Sequence, residues 1–195
     1  MLAVIGFPRT GTTFLRYAIE QQSGKPGSTF KSHEPLSIRS IAESQIPVLV
    51  PIRNPIDTCI SWSYYNHDEP TKRMALHRLA TYLAWHRILE RKLALPGVQL
   101  VGFDSFTHDI GRLPKSVNLL MDLSEGSKVE LTHNLLQDFT MQQEMDAQPL
   151  EFQNAPTPKR REAASKYREV FFEVTDHRIA RKSFELYSEL SVHAL

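Results

Sequence analysis

The chain has 195 residues, 41% of them hydrophobic, enough for one sizeable core that needs neither disulfides nor metals to fold. Lys and Arg total 23 against 22 for Asp and Glu, a net charge of +1, so no global field directs the chain to nucleic acid or an anionic membrane. Cys59 is the single cysteine, which excludes an internal disulfide and a cysteine-pair zinc ribbon and predicts a reducing, cytoplasmic setting.

In chain order, Met1 to Ile5 is apolar but too short for a signal sequence, since Arg9 and Thr10 arrive before an apolar core is complete. No later run approaches the roughly 18 apolar residues of a membrane span, so a soluble protein is expected. Four short apolar runs read as strands: Leu2 to Ile5, Thr29 to His33, Pro47 to Ile52, and Val98 to Phe103 after the turn signal Pro96-Gly97. The clearest helix runs from Thr71 to Leu95, with Leu76, Leu79 and Leu83 at three-and-four spacing and Pro96 as a stop. Leu113 to Leu123 and Lys166 to Leu190 also read as helical, and Gln148 to Pro158 as a polar, proline-marked loop. Strands alternating with helices predict a single α/β domain over residues 1–195. Its three layers are a central parallel sheet of about four to five strands between helices.

The first strand exits into Gly6-Phe-Pro-Arg-Thr-Gly11-Thr12-Thr13, followed by a helix-compatible stretch from Phe14 to Glu20. Strand, glycine loop and helix make a phosphate cradle. Gly11 lets the backbone approach an anion, N–H groups of the loop and helix start point at it, and the helix dipole favours negative charge. The nucleoside-triphosphate loop has lysine where Thr12 stands, and Arg9 offers a cation at another position, so the expected ligand is phosphate-like but not ATP.

Pro8-Arg-Thr-Gly-Thr-Thr-Phe-Leu15 resembles the 5'-phosphosulfate loop of sulfotransferases that use 3'-phosphoadenosine-5'-phosphosulfate (PAPS). Val48 to Asp57, continuing to Ser61, is similar to that family's 3'-phosphate site, an apolar strand ending in R-[ND]-P-x-D with a serine eight residues after the arginine. Lys31-Ser-His33 is similar to the K-[ST]-H at the end of the family's second strand. The resemblance implies a P-loop-like fold and in-line transfer of a sulfuryl group from PAPS to a hydroxyl or amine, with 3'-phosphoadenosine-5'-phosphate (PAP) as product and no metal required. It implies His33 as general base, with Lys31 and Arg9 stabilising charge on the transferring group. The cofactor would be held by Arg9, Thr10, Gly11, Thr12, Thr13, Phe14, Arg53 and Ser61. Glu34 is the alternative base, because some branches use glutamate and adjacent strand residues point to opposite faces.

Elsewhere the residues depart from the pattern or read as structure. Phe103 stands where relatives carry a tyrosine after the fourth strand, and the late R-K-G and G-x-x-G-x-x-K elements are absent, which leaves Lys159 to Arg161 as candidate lid cations. Trp62, Tyr64, Tyr65, Trp85, His86 and Cys59 read as core residues. Two alternatives stay open, a P-loop small-molecule kinase and a non-catalytic nucleotide-binding module. The expected partner is a small-molecule or glycan acceptor, with no nucleic acid and no membrane; oligomeric state is not legible.

Overall fold

The computed structural model describes residues 1–23, 26–108, 128–145, 162 and 164–194. In chain order the elements are β1 (Leu2–Ile5), α1 (Thr12–Ser23), β2 (Thr29–Ser32), α2 (Ser37–Glu43), β3 (Val48–Ile52) and α3 (Pro55–Tyr65). They continue as α4 (Lys72–Glu90), β4 (Val98–Gly102), α5 (Phe103–His108), α6 (Lys128–Met145), α7 (Ser165–Phe172) and α8 (Arg178–Val192).

The four strands form one parallel sheet in the order β2-β1-β3-β4. The two central strands, β1 and β3, are continuously apolar because both of their faces are covered, while the edge strand β2 carries Lys31 and Ser32. Side-chain alternation sorts them into two cores. Leu2, Val4, Leu49 and Val101 face α1, α5 and α6 with Phe14, Leu15, Phe106 and Phe139. Ala3, Ile5, Val48, Val50, Ile52 and Leu100 face the opposite layer, where α3, α4, α7 and α8 bury Ile60, Leu79, Phe171 and Leu186. The result is the expected α/β architecture, a four-stranded parallel sheet flanked by helices. Strand order reverses between β1 and β3, and in open parallel sheets such a reversal opens a crevice at the strands' carboxyl ends.

Several boundaries differ from the sequence expectation for local reasons. The long helix ends at Glu90 rather than Leu95, since Lys92, Leu93 and Leu95 bond back to Leu89, Glu90 and Lys92 in tightened turns ahead of Pro96. The helical stretch expected over Lys166 to Leu190 is two helices. Val174, Thr175 and His177 bond three residues back, and His177 then caps α8, its Nδ1 accepting from the Ile179 N–H at 3.2 Å. The second strand stops at Ser32, one residue before His33, and the fourth at Gly102, with Phe103 opening α5. The expected helix over Leu113 to Leu123, the loop over Gln148 to Pro158 and the cations Lys159 to Arg161 lie outside the described residues. Among the described residues, no helix is long and apolar enough to cross a membrane.

Candidate functional site

The exit of β1 builds the loop in which the sequence places phosphate binding. Thr10 is fully buried and its hydroxyl turns inward, donating to the Phe7 carbonyl at 2.8 Å, so it shapes the loop rather than facing a ligand. Gly11 has φ +91, and a Cβ there would stand 2.8 Å from the Phe103 ring, so conformation and space both require glycine. Arg9 holds φ +71, in the left-handed region that non-glycine residues seldom occupy; such strain concentrates where function demands a particular geometry. The Leu15 N–H bonds to the Gly11 carbonyl, leaving the first N–H groups of α1 without intrahelical partners and directed at the loop.

β3 delivers the second group of residues. Asn54 caps α3 by accepting from the Ile56 and Asp57 N–H groups, with Pro55 at the first helical position. This sharp strand-to-helix turn aims Arg53 at the loop: its Nη1 donates to the Arg9 carbonyl at 3.3 Å, and its guanidinium lies 4.2 Å from the Phe103 ring centroid. Burial pulls Arg53 below its ordinary value, opposed by Asp57, Asp104 and Tyr187. Two turns into α3, Ser61 Oγ accepts from Arg9 Nε at 3.2 Å, and the Arg9 guanidinium also covers Tyr65 at 5.0 Å. Arg9, Arg53 and Ser61, distant in sequence, therefore form one contiguous polar cluster.

These groups line one end of a cavity of about 500 Å³ together with Gly11, Thr12, Thr13 and Phe14. The remaining wall is mostly apolar, from Ile60, Tyr64, Phe103, Leu136, Phe139 and Ala164, with Asp57, Thr107, His108 and Arg168 as its polar members. A cationic end with an apolar body suits a nucleotide, whose anions and base need opposite surroundings. Tyr64 thus belongs to the cavity wall as well as to the core edge, where its ring meets Tyr167 edge-on. Trp85, His86 and Cys59 are buried as expected. Among the described residues, no three His, Cys, Asp or Glu side chains gather where they could hold a metal ion.

Lys31 and His33 stand at the neighbouring strand end. Lys31 Nζ donates to Thr13 Oγ1 at 3.1 Å, which brings its charge beside a residue of the cavity lining; burial, then Arg16 and Arg9, pull its pKa down. His33 does not line the cavity but sits beside the loop that bounds it, with Nδ1 2.6 Å from the Gly6 carbonyl. A carbonyl only accepts, so the ring proton is on Nδ1 and Nε2 carries a lone pair. Burial pulls His33 below its ordinary value, the Gly6 bond opposes this, and Lys31 and Arg9 add to it, so the imidazole is neutral at pH 7. Glu34 is committed elsewhere. Its carboxylate accepts from the Leu36 N–H at 2.9 Å in the turn before α2, and because β2 has already ended, strand alternation no longer sets its direction.

The sequence reading missed several wall residues, among them Leu136, Phe139 and Arg168. Leu136 and Phe139 come from α6, whose three-and-four spacing of Leu135, Leu136 and Phe139 could have disclosed it. Arg168 follows the buried Tyr167 on α7 and is one charged residue among many.

No protein-family model matches the chain, and no curated protein matches it. Among solved structures, the fold is similar to that of mouse sulfotransferase SULT7A1 complexed with PAP. The two share 14% sequence identity at a TM-score of 0.54, over 98% of this chain and 88% of that one. The chain has a sulfotransferase-like fold.

Proposed function

We propose that this chain is a sulfotransferase that takes PAPS as donor and passes the sulfuryl group to a hydroxyl or amine of a small-molecule or glycan acceptor. The observation that carries the reading is the meeting of Arg9, Arg53 and Ser61 with the start of α1 at one end of the cavity, where threonine replaces the lysine of triphosphate loops. The likeness of fold to a sulfotransferase solved with PAP supports the same cofactor class.

When bound, PAPS supplies an activated sulfuryl group; the chain supplies position and charge. Thr12, Thr13 and the N–H groups of α1 hold the 5' end. Arg53 grips the 3'-phosphate as a planar fork, Ser61 donates beside it, and Arg168 adds a further cation to the cavity lining. Arg53 occupies one face of the Phe103 ring, which leaves the other face for the adenine. Arg9 and Lys31 stabilise negative charge developing on the transferring group and the leaving phosphate. His33 Nε2 receives the acceptor's proton, while Gly6 fixes the ring through Nδ1. The buried single cysteine fits a cytoplasmic enzyme.

The test is His33→Ala, assayed with labelled PAPS against a panel of phenols, sterols, sugars and amines. Transfer is expected to fall at least tenfold while PAP affinity stays within twofold. Transfer that survives unchanged in the variant rules out His33 as the base.

A further inference from the structure

Helix α4 takes part in the site although none of its residues lines the cavity. Tyr82 and Trp85, about one turn apart, both point from α4 toward the strand ends and are 0% and 7% exposed. Tyr82 Oη donates to the Arg53 carbonyl at 2.8 Å, and Trp85 Nε1 donates to the His33 carbonyl at 2.9 Å. Between them lies Phe7 of the phosphate loop, its ring 5.3 Å from Tyr82 and 6.0 Å from Trp85, edge-on to both. One helical turn thus touches all three segments that carry the candidate site.

The acceptors chosen are informative. A buried carbonyl needs a partner, but any donor would satisfy it. Here the two carbonyls belong to the residue that meets the anion and the residue that meets the acceptor. For Arg53, the bond precedes the Asn54 cap and sets where the guanidinium leaves the strand. For His33, it acts with the Nδ1–H bond to Gly6: backbone and ring are each held once, which narrows the direction of Nε2. Burial raises the Tyr82 hydroxyl well above its ordinary value, so it stays a donor at every working pH.

We propose that Tyr82 and Trp85 are positioning residues that set Arg53 and His33 in register from a single turn of α4, Tyr82 serving anion binding and Trp85 serving the base. The proposal rests on the sulfuryl-transfer reading for its purpose, but its geometry can be tested apart from it.

Two substitutions remove one donor each and keep the ring: Tyr82→Phe, and Trp85 replaced by benzothienylalanine, which keeps the bicycle without the N–H. Trp85→Phe is the simpler companion, and a melting curve accompanies each variant. The readouts are PAP affinity by calorimetry and the His33 tautomer by 15N NMR of the ring. Tyr82→Phe is expected to weaken PAP at least fivefold and leave the His33 ring signals in place. Loss of the Trp85 donor is expected to move His33 from the Nδ1–H toward the Nε2–H tautomer and change PAP affinity less than twofold. If both readouts move together in each variant, in step with melting temperature, the residues are merely structural and the proposal is overturned. It is equally overturned if neither readout moves. Should the unsubstituted protein fail to bind PAP, the nucleotide reading fails. The Trp85 arm then decides alone, a tautomer shift supporting the positioning role and its absence overturning it.

Discussion

His33 illustrates how a residue's chemistry is set by neighbours rather than by its type. Burial, Lys31 and Arg9 all disfavour the imidazolium, and only the Gly6 carbonyl favours it. A base must be neutral to accept a proton, so a depressed pKa extends the active form to lower pH. The rate plateau is expected to continue below about pH 6.5, the ordinary histidine value, before an acid limb sets in. The pH dependence of kcat/KM checks this, and an acid limb centred above pH 6.5 would contradict it. The motifs made the convergence of Arg9, Gly11, Arg53 and Ser61 on one cavity legible, because each motif starts at a strand end and runs into the following loop or helix. Lys31 and His33, by contrast, stand beside the cavity rather than in its lining. Thr10 was expected among the cofactor-binding residues, but its hydroxyl turns back to Phe7. Motif spacing places a backbone, while a rotamer depends on the packing around it.

At the scale of elements, the loop between β1 and α1 is the part least tolerant of change. A methyl group at Gly11 meets the Phe103 and Phe106 rings at 2.8 to 2.9 Å, in a conformation that L-residues resist. Gly11→Ala is expected to cost about 1–3 kcal/mol, read as a lowered melting temperature, and to weaken PAP binding at least tenfold. A variant that binds PAP normally would show that the loop does not cradle its phosphate. Strands were the most readable elements, because a strand buried on both faces is a short apolar run bounded by turn residues. Helix ends were less so: propensity alone could not say that α4 yields to tight turns after Glu90, or that Thr175 and Asp176 divide α7 from α8. Helix α6 escaped notice because its face toward α1 and α5 is narrow, resting on Leu135, Leu136 and Phe139.

For the molecule as a whole, the layer against α4 joins stability to the site. His86 is fully buried, stacked on Tyr82 at 3.8 Å and bordered by Phe7 and Trp85, with Nδ1–H donating to the Tyr82 carbonyl. Its Nε2 is buried with no partner among the described residues, and burial pulls its pKa down to about 4. The unfolded chain, with an ordinary value near 6.5, takes up the proton first as pH falls. Stability therefore declines between about pH 6.5 and 4 and levels off below, an effect on the order of 3 kcal/mol from this group. His86→Phe is expected to flatten that decline in denaturant titrations across the same range; an unchanged slope would locate the acid sensitivity elsewhere. None of this could be read from the sequence, where Trp85 and His86 are simply large residues on an amphipathic helix. Their roles depend on which strand ends come to lie beside them.

Whether the cationic end of the cavity is built for PAP and not for ATP is decided by calorimetric titration with PAP beside ATP and magnesium, repeated on Arg53→Ala. Micromolar binding of PAP, silence with ATP, and at least a tenfold loss in the variant are expected, since a hydrogen-bonded charge contributes about 1.5–3 kcal/mol. Preference for ATP, or binding of neither nucleotide, would contradict the PAP reading.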